Sequence, residues 1–208
     1  MKSRREYYDA EPWYRREKTQ DWYQQMELTN QVVKDLLQQI IKPDFRILEV
    51  ACGGGWLSEF ILKLKISEYK GFDFAESAVS NAKSRLQKYK KWTILRADAL
   101  SPEIYDCDFE LIIAHQFLHC LIGEDRHIWM KLCHETLKRN NGSLLLSSMI
   151  GLPESHASFV DLQTKINKPR NRYYADDEEI KLELNQAGFT IETTLYPEDY
   201  SGVYLAKT

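Results

Sequence analysis

The chain has 208 residues, a formal net charge of −3 and a pI near 6.0. Its 43% hydrophobic and 28% charged content is ordinary for one globular domain with ample core, and the acidic balance argues against a strong non-specific nucleic-acid binder. Four scattered cysteines (Cys52, Cys107, Cys120 and Cys133) form no Cys-x-x-Cys pair, which disfavours a disulfide frame or a zinc site. No apolar run is long enough to span a bilayer, and the start, Met1 to Tyr8, has no apolar stretch of the secretory kind. A cytoplasmic protein, monomeric or homodimeric, is the expectation.

Residues 1–20 are polar and aromatic and read as an irregular arm with a short helix. From 21 to 41, Trp22, Met26, Val33, Leu36, Leu37, Ile40 and Ile41 recur at helical spacing, and Pro43 ends the run. Residues 1–42 are therefore expected to form a helical cap or lid on a second unit, residues 43–208. That unit opens with a strand from Arg46 to Ala51, a glycine turn, and a helix over 56–65 carrying Trp56, Leu57, Phe60, Ile61 and Leu64. A strand from Tyr69 to Phe74 comes next, then a helix with Ala78, Val79, Ala82 and Leu86 on one face. A third strand spans Trp92 to Arg96. A fourth, Phe109 to Ala114, is apolar at nearly every position, as befits a strand buried on both faces.

A helix from about Asp125 to Lys138 is expected to turn Ile128, Trp129, Leu132 and Leu137 inward, with Gly142 taking a left-handed conformation past its end. The fifth strand is Ser143 to Met149. The acids Asp176, Asp177, Glu178 and Glu179 then suit a helix start. After Gly188, Phe189 to Leu195 and Gly202 to Lys207 read as strands joined by too few residues for a crossover, so they must pair antiparallel. Alternation of strand and helix implies an α/β fold with a doubly wound, mostly parallel sheet. The terminal hairpin is an unusual addition to it.

In such a sheet, ligands sit outside the carboxyl ends of the strands. Those ends carry Glu49 and Ala51 to Gly55, Asp73 and Phe74, Asp98 and Ala99, and His115 and Gln116. Glycines let a backbone approach a ligand closely. Asp73, about twenty residues beyond them, can accept from two ribose hydroxyls. Asp98 can accept from an adenine amino group.

In order and spacing, these residues resemble the class I S-adenosylmethionine-dependent methyltransferases, over Arg46 to Thr208. The family's acidic residue followed by Gly-x-Gly-x-Gly reads here Glu49-Val-Ala51-Cys-Gly53-Gly-Gly55, with Ala51 in place of the first glycine. Leu137 to Gly142 looks like its Leu-Lys-Pro-Gly-Gly turn, and Ala187-Gly188-Phe189 like its Ala-Gly-Phe. The resemblance implies a seven-stranded Rossmann-like sheet of order 3-2-1-4-5-7-6 with strand 7 antiparallel. It implies S-adenosylmethionine as methyl donor and S-adenosylhomocysteine as product. The cofactor residues would be Glu49, Ala51, Cys52, Gly53, Gly55, Trp56, Asp73, Phe74, Asp98, Ala99 and His115, with Tyr14 reaching over from the arm.

A nicotinamide site is the nearest rival. It wants Gly-x-Gly-x-x-Gly, whereas Ser58 stands in the third place, and neither an acidic residue inside the strand nor the terminal hairpin suits it. His115 and His119 are the candidate general bases; equally, His115 shapes the pocket and His119 is a packed residue. His127, His134 and His156 read as surface or helix-face residues.

The aromatics Tyr7, Tyr8, Trp13, Tyr14, Trp22 and Tyr23 could form a lid over a planar or cationic acceptor, with Tyr7 and Tyr14 the best pocket candidates. Lys165, Lys168, Arg170 and Arg172, with Tyr173 and Tyr174, lie where an insertion could meet a carboxylate or phosphate; a solvated loop is the alternative. His119, Arg172 and Tyr173 join Tyr7 and Tyr14 as candidate substrate contacts.

Strand four ends in Ala114-His-Gln-Phe117 and lacks the Asn/Asp-Pro-Pro-Tyr/Phe signature of methyltransferases acting on exocyclic or amide nitrogens. There is no Pro-Cys nucleophile for cytosine-C5 chemistry and no metal-ligand cluster. The expected activity is methyl transfer to an O or N atom of a small-molecule acceptor. Alternatives are methylation of a protein or RNA, or a cofactor-binding regulatory protein without turnover.

Overall fold

The computed structural model describes residues 26–167 and 171–208. Helix α1 (Glu27–Ile40) leads into β1 (Arg46–Val50), α2 (Trp56–Ile61), β2 (Glu68–Asp73), α3 (Glu76–Leu86), β3 (Trp92–Arg96) and β4 (Leu111–His115). The chain continues through α4 (Glu124–Leu137), β5 (Ser143–Met149), a short hairpin of β6 (Ile166–Asn167) and β7 (Arg172–Tyr173), α5 (Asp177–Gln186), β8 (Thr190–Leu195) and β9 (Ser201–Lys207). Seven strands form one sheet in the order β3-β2-β1-β4-β5-β9-β8. All neighbours pair in parallel except β9, which runs antiparallel to both β5 and β8. This is the expected topology, the two hairpin strands β6 and β7 lying outside the main sheet. No helix of the described residues is long and apolar enough to cross a membrane.

Helices cover both faces, so the central strands are largely apolar and β4 is buried at every position. On one face α1, α2 and α3 pack Val33, Leu37, Leu57, Ile61, Val79 and Leu86 against Ile47, Leu111, Ile113 and Leu145. On the other, α4 and α5 pack Trp129, Met130, Leu137, Ile180 and Leu184 against Leu48, Val50, Ile112 and Leu144. Helix α1, the described part of the expected cap, is thus one of the helices covering the sheet. The arm residues Tyr7, Tyr8, Trp13, Tyr14, Trp22 and Tyr23, and Lys168 and Arg170 of the insertion, lie outside the described residues.

Three local expectations are corrected. Strand β4 begins at Leu111, two residues later than expected. Glu110 accepts from the Arg46 backbone N–H at 2.7 Å and from its guanidinium at 2.8 Å, clamping the entry of β1 to that of β4. In α4, Ile128 is 41% exposed, and the inward stripe is Arg126, Trp129, Met130, Cys133 and Leu137 at three- and four-residue spacing. A search for apolar residues passes over a buried arginine. After α4, the left-handed residue is Asn141 (φ 50°). Gly142 is needed for space: a Cβ there would sit 2.7 Å from the Leu137 side chain and 3.0 Å from the Glu110 carbonyl oxygen. By contrast, the acids at the start of α5 act as anticipated. Asp176 accepts from the Glu179 N–H and Glu179 accepts from the Asp176 N–H, a reciprocal capping box.

Candidate active site

The parallel register aligns the carboxyl ends of β1 to β4 on one edge, with Val50 beside Phe72 and Ala114, and Asp73 beside Arg96. Beyond β1 the chain bends through three left-handed residues, Ala51 (φ 53°), Gly53 (φ 54°) and Gly55 (φ 80°). Gly55 has two reasons to lack a side chain: its φ, and a Cβ position only 3.1 Å from Ala82 Cα of α3. Asp73 fastens this bend. One of its carboxylate oxygens accepts from the Gly53 N–H at 2.9 Å and the other from the Ala75 N–H at 2.9 Å. Its carbonyl accepts from Ala97 N–H of the third strand's end. A single buried residue therefore sets three loops in register. Asp98 is half-buried at the end of β3, where its side chain accepts from Leu100 N–H and shapes its own turn.

The other predicted residues of this edge divide by direction. Phe74 is half-buried, and Ala99 is buried in the core on the α4–α5 face. The Cys52 side chain packs into the core on the α2–α3 face. Trp56 turns its ring to α3, where the Arg85 guanidinium stacks 3.4 Å from the ring centroid while donating to the Gly54 carbonyl at 2.8 Å. Arg85 braces the bend from behind; no sequence signal had marked it. Glu49 points to the same face. Its Oε2 accepts from the Ser58 hydroxyl at 2.8 Å and from Tyr69 at 2.5 Å, and those hydroxyls bond each other at 2.6 Å. Burial raises the Glu49 carboxyl to about 7 against the opposing pull of those two hydroxyls.

At the end of β4 the site changes character. His115 Nε2 lies 2.8 Å from Asn30 Oδ1 of α1. Burial, with the Lys34 charge adding, lowers its pKa to about 4, so the ring is neutral at pH 7. Gln116 follows at φ 56°, its amide donating to the Ser147 hydroxyl at 3.1 Å. A left-handed non-glycine residue at a strand end is the kind of local strain that gathers at functional sites. His119 sits on a 3-10 turn (Leu118–Cys120), 5% exposed. Its Nδ1 is buried without a hydrogen-bond partner among the described residues. Burial first, then the charges of Arg172 and Arg126, hold it well below the usual histidine range.

Behind that turn lies a pair that sequence reading missed. Arg126 of α4 is 2% exposed and donates to both carboxylate oxygens of Glu183 on α5, at 2.7 and 2.6 Å. Its third arm donates to the Leu118 carbonyl at 2.9 Å, and its guanidinium lies 5.0 Å from the Tyr173 ring centroid. Tyr173 and Arg172, both predicted substrate contacts, are thereby brought to the β4 side through the hairpin they occupy. Tyr173 also donates to Glu179 at 3.0 Å. The only hint in the sequence was one arginine inside an otherwise amphipathic helix. Of the remaining histidines, His127 is exposed, whereas His134 packs edge-on against Phe189 and His156 bonds the Tyr174 hydroxyl at 2.9 Å. Among the described residues, no group of three or more His, Cys, Asp or Glu is arranged to hold a metal ion.

Residues 48–144 match the family model described as a methyltransferase domain. No curated protein sequence matches the chain. Among solved structures, it is similar to magnesium protoporphyrin IX methyltransferase (ChlM) of Synechocystis PCC 6803 with bound S-adenosylhomocysteine. The TM-score is 0.76 at 16% identity, over 98% of this chain and 97% of that one. It is similar to the 1,6-didemethyltoxoflavin-N1-methyltransferase of Burkholderia thailandensis with a TM-score of 0.71 at 13% identity, over 94% and 83%. That structure holds 1,6-didemethyltoxoflavin and S-adenosylhomocysteine. A third similar structure is the CurJ carbon methyltransferase, with a TM-score of 0.66 at 20% identity, over 86% of this chain. This chain spans about half of that one, 53%. At these identities the structures speak for the fold alone. Residues 48–144 thus carry a methyltransferase domain, and the strand order with its antiparallel β9 gives the chain the fold of these methyltransferase structures.

Proposed function

We propose that the chain transfers a methyl group from S-adenosylmethionine to an O or N atom of a small-molecule acceptor. The observation that carries this reading is the edge formed by Ala51 to Gly55, Asp73 and Asp98. The residues fit an adenosyl ligand. The bend offers backbone with little side chain in the way. A carboxylate oxygen has two acceptor positions, so Asp73 can hold the loops through one and receive a ribose hydroxyl at another. Asp98, half-buried one strand further out, suits the base. His115 and the end of β4 lie on the other side of the bend.

When bound, S-adenosylmethionine supplies an electrophilic methyl carbon, so the protein's task is to orient and to exclude water. A proton leaves the acceptor only if its nucleophilic atom carries one. His115 and His119 are both neutral at pH 7 and so able to accept one, but their low pKa values make them weak bases. We therefore assign them to orienting the acceptor, with proton removal by His115 or His119 the competing outcome. The near-complete overlap with ChlM and with the 1,6-didemethyltoxoflavin-N1-methyltransferase, both named for small organic acceptors, supports a small molecule here. Tyr7 and Tyr14 remain proposed pocket residues, and residues 1–42 a proposed cap.

The test is thermal-shift and calorimetric titration with S-adenosylmethionine, S-adenosylhomocysteine and NAD, followed by a metabolite panel scored by S-adenosylhomocysteine release. A ligand that binds only the folded state raises the melting point by mass action. Stabilisation by NAD alone would overturn the reading. Methylation at carbon, or of a macromolecule only, would overturn the acceptor assignment and leave the donor standing.

A further inference from the structure

We propose that Arg126 is a positioning residue, joining the turn after β4 and the β6–β7 hairpin into a single wall on the acceptor side of the cleft. The inference rests on the methyl-transfer reading for what that wall faces. Each contact of Arg126 fixes a different element. The bond to the Leu118 carbonyl sets the peptide from which His119 departs. That carbonyl also accepts from Leu121 N–H, closing the turn from its other end. The Glu183 pair anchors the guanidinium to α5, at the seventh of the ten residues of a helix whose start holds Tyr173 through Glu179. The Tyr173 ring, lying over the guanidinium, carries the restraint into the hairpin and so to Arg172.

A planar fork with five donors can satisfy two carboxylate oxygens and a carbonyl in one plane while presenting a face to an aromatic ring; a lysine ammonium cannot. Stability alone is a poor reason for the arrangement, because a well-packed apolar pair often replaces a buried ion pair without loss. What the apolar pair does not replace is the directed bond to Leu118. All these contacts lie away from the bend at Ala51 to Gly55 and from Asp73, so acceptor side and cofactor side should be separable by mutation.

The experiment compares the full-length wild-type chain with R126K and with R126M/E183L. Amide exchange is read by mass spectrometry, and affinity for S-adenosylhomocysteine by calorimetry. In both variants, exchange over 117–121 and 171–174 should rise about tenfold or more, while exchange over 51–56 and S-adenosylhomocysteine affinity should stay within about twofold of wild type. Removing the cation in R126M/E183L should also raise the pH at which the His119 ring titrates in NMR, a shift that R126K should largely spare. With an acceptor found in the metabolite panel, KM for that acceptor should rise while KM for S-adenosylmethionine holds. Unchanged exchange in the two wall segments would overturn the proposal. So would an equal rise everywhere, which marks a merely structural pair. If the wild-type chain binds no S-adenosylhomocysteine, the methyl-transfer reading falls, and the exchange data still judge the wall on their own.

Discussion

The β1–β3 edge and the β4 edge of the same sheet are built by opposite means. The first is a backbone device: left-handed residues, a close approach to α3, and one carboxylate holding two N–H groups. The second is a side-chain device, in which His115 leans on Asn30 of α1 and the His119 turn leans on an arginine shared between α4 and α5. The difference matches the demands on each. On the proposed function, the donor, which is the same in every turnover, can be met by a fixed backbone, whereas a surface that selects an acceptor is more easily tuned through side chains.

The sharpest break of this contrast is on the β4 side. Glu183→Ala leaves the Arg126 guanidinium buried without its carboxylate and should destabilise the fold by about 3–5 kcal/mol, read by urea denaturation. R126M/E183L should recover most of that loss. If the single substitution is nearly silent, the pair is not the anchor of this half.

Acidity separates the two edges next, with opposite signs. Glu49 has a folded-state pKa of about 7 against an ordinary 4.5, so the folded state holds an extra proton between those values. The stability it contributes is complete below about pH 4.5 and is lost as pH rises through 7. His115 is depressed to about 4 from 6.5, so here the unfolded state holds the extra proton. Its contribution is complete above pH 6.5 and is lost as pH falls through 4. Relative to wild type, E49Q should therefore gain stability as pH rises from 4.5 to 7, and H115Q should gain as pH falls from 6.5 to 4, each by up to about 3 kcal/mol. Denaturant midpoints across that range check both. Parallel curves for variant and wild type would show that the group does not titrate differently on folding.

On the proposed cofactor edge, Asp73→Ala removes the carboxylate that accepts from the Gly53 and Ala75 N–H groups, and with it the proposed ribose contact. Affinity for S-adenosylhomocysteine should fall by about 1–3 kcal/mol, which calorimetry resolves directly. Unchanged affinity would confine Asp73 to holding the loops.

The same contrast explains what could be read in the chain alone. A bend that needs left-handed backbone writes glycines at fixed spacing, and a strand buried on both faces writes a run such as Leu111 to Ala114, so the edge and the terminal hairpin were legible in the residues, and the sheet order through the family resemblance they carry. Ridges built from distant partners write nothing local. Arg126 and Glu183 are 57 positions apart and His115 and Asn30 are 85 apart. Arg126, Glu183 and Asn30 each look, by themselves, like solvated helix residues, and nothing near His115 names its partner. Glu49 was legible as an acid in the motif, but its partners Ser58 and Tyr69 are recognisable only once β1, β2 and α2 are assembled.

The smallest effect concerns the one departure from the glycine motif. Ala51 holds φ 53°, a conformation that costs an L-residue about 1–2 kcal/mol relative to glycine. Glycine gives back about 0.5–1 kcal/mol through its freer unfolded chain. It also forfeits part of the roughly 0.8 kcal/mol that a buried methyl group contributes. Ala51 is only partly buried against the core on the α4–α5 face, so that last part is well below the full value. At the middle of these ranges the three contributions leave Ala51→Gly more stable than wild type by about 0.5 kcal/mol, with S-adenosylhomocysteine affinity unchanged. A destabilisation beyond about 1 kcal/mol would mean that the methyl group packs in earnest and that even this edge depends on a side chain.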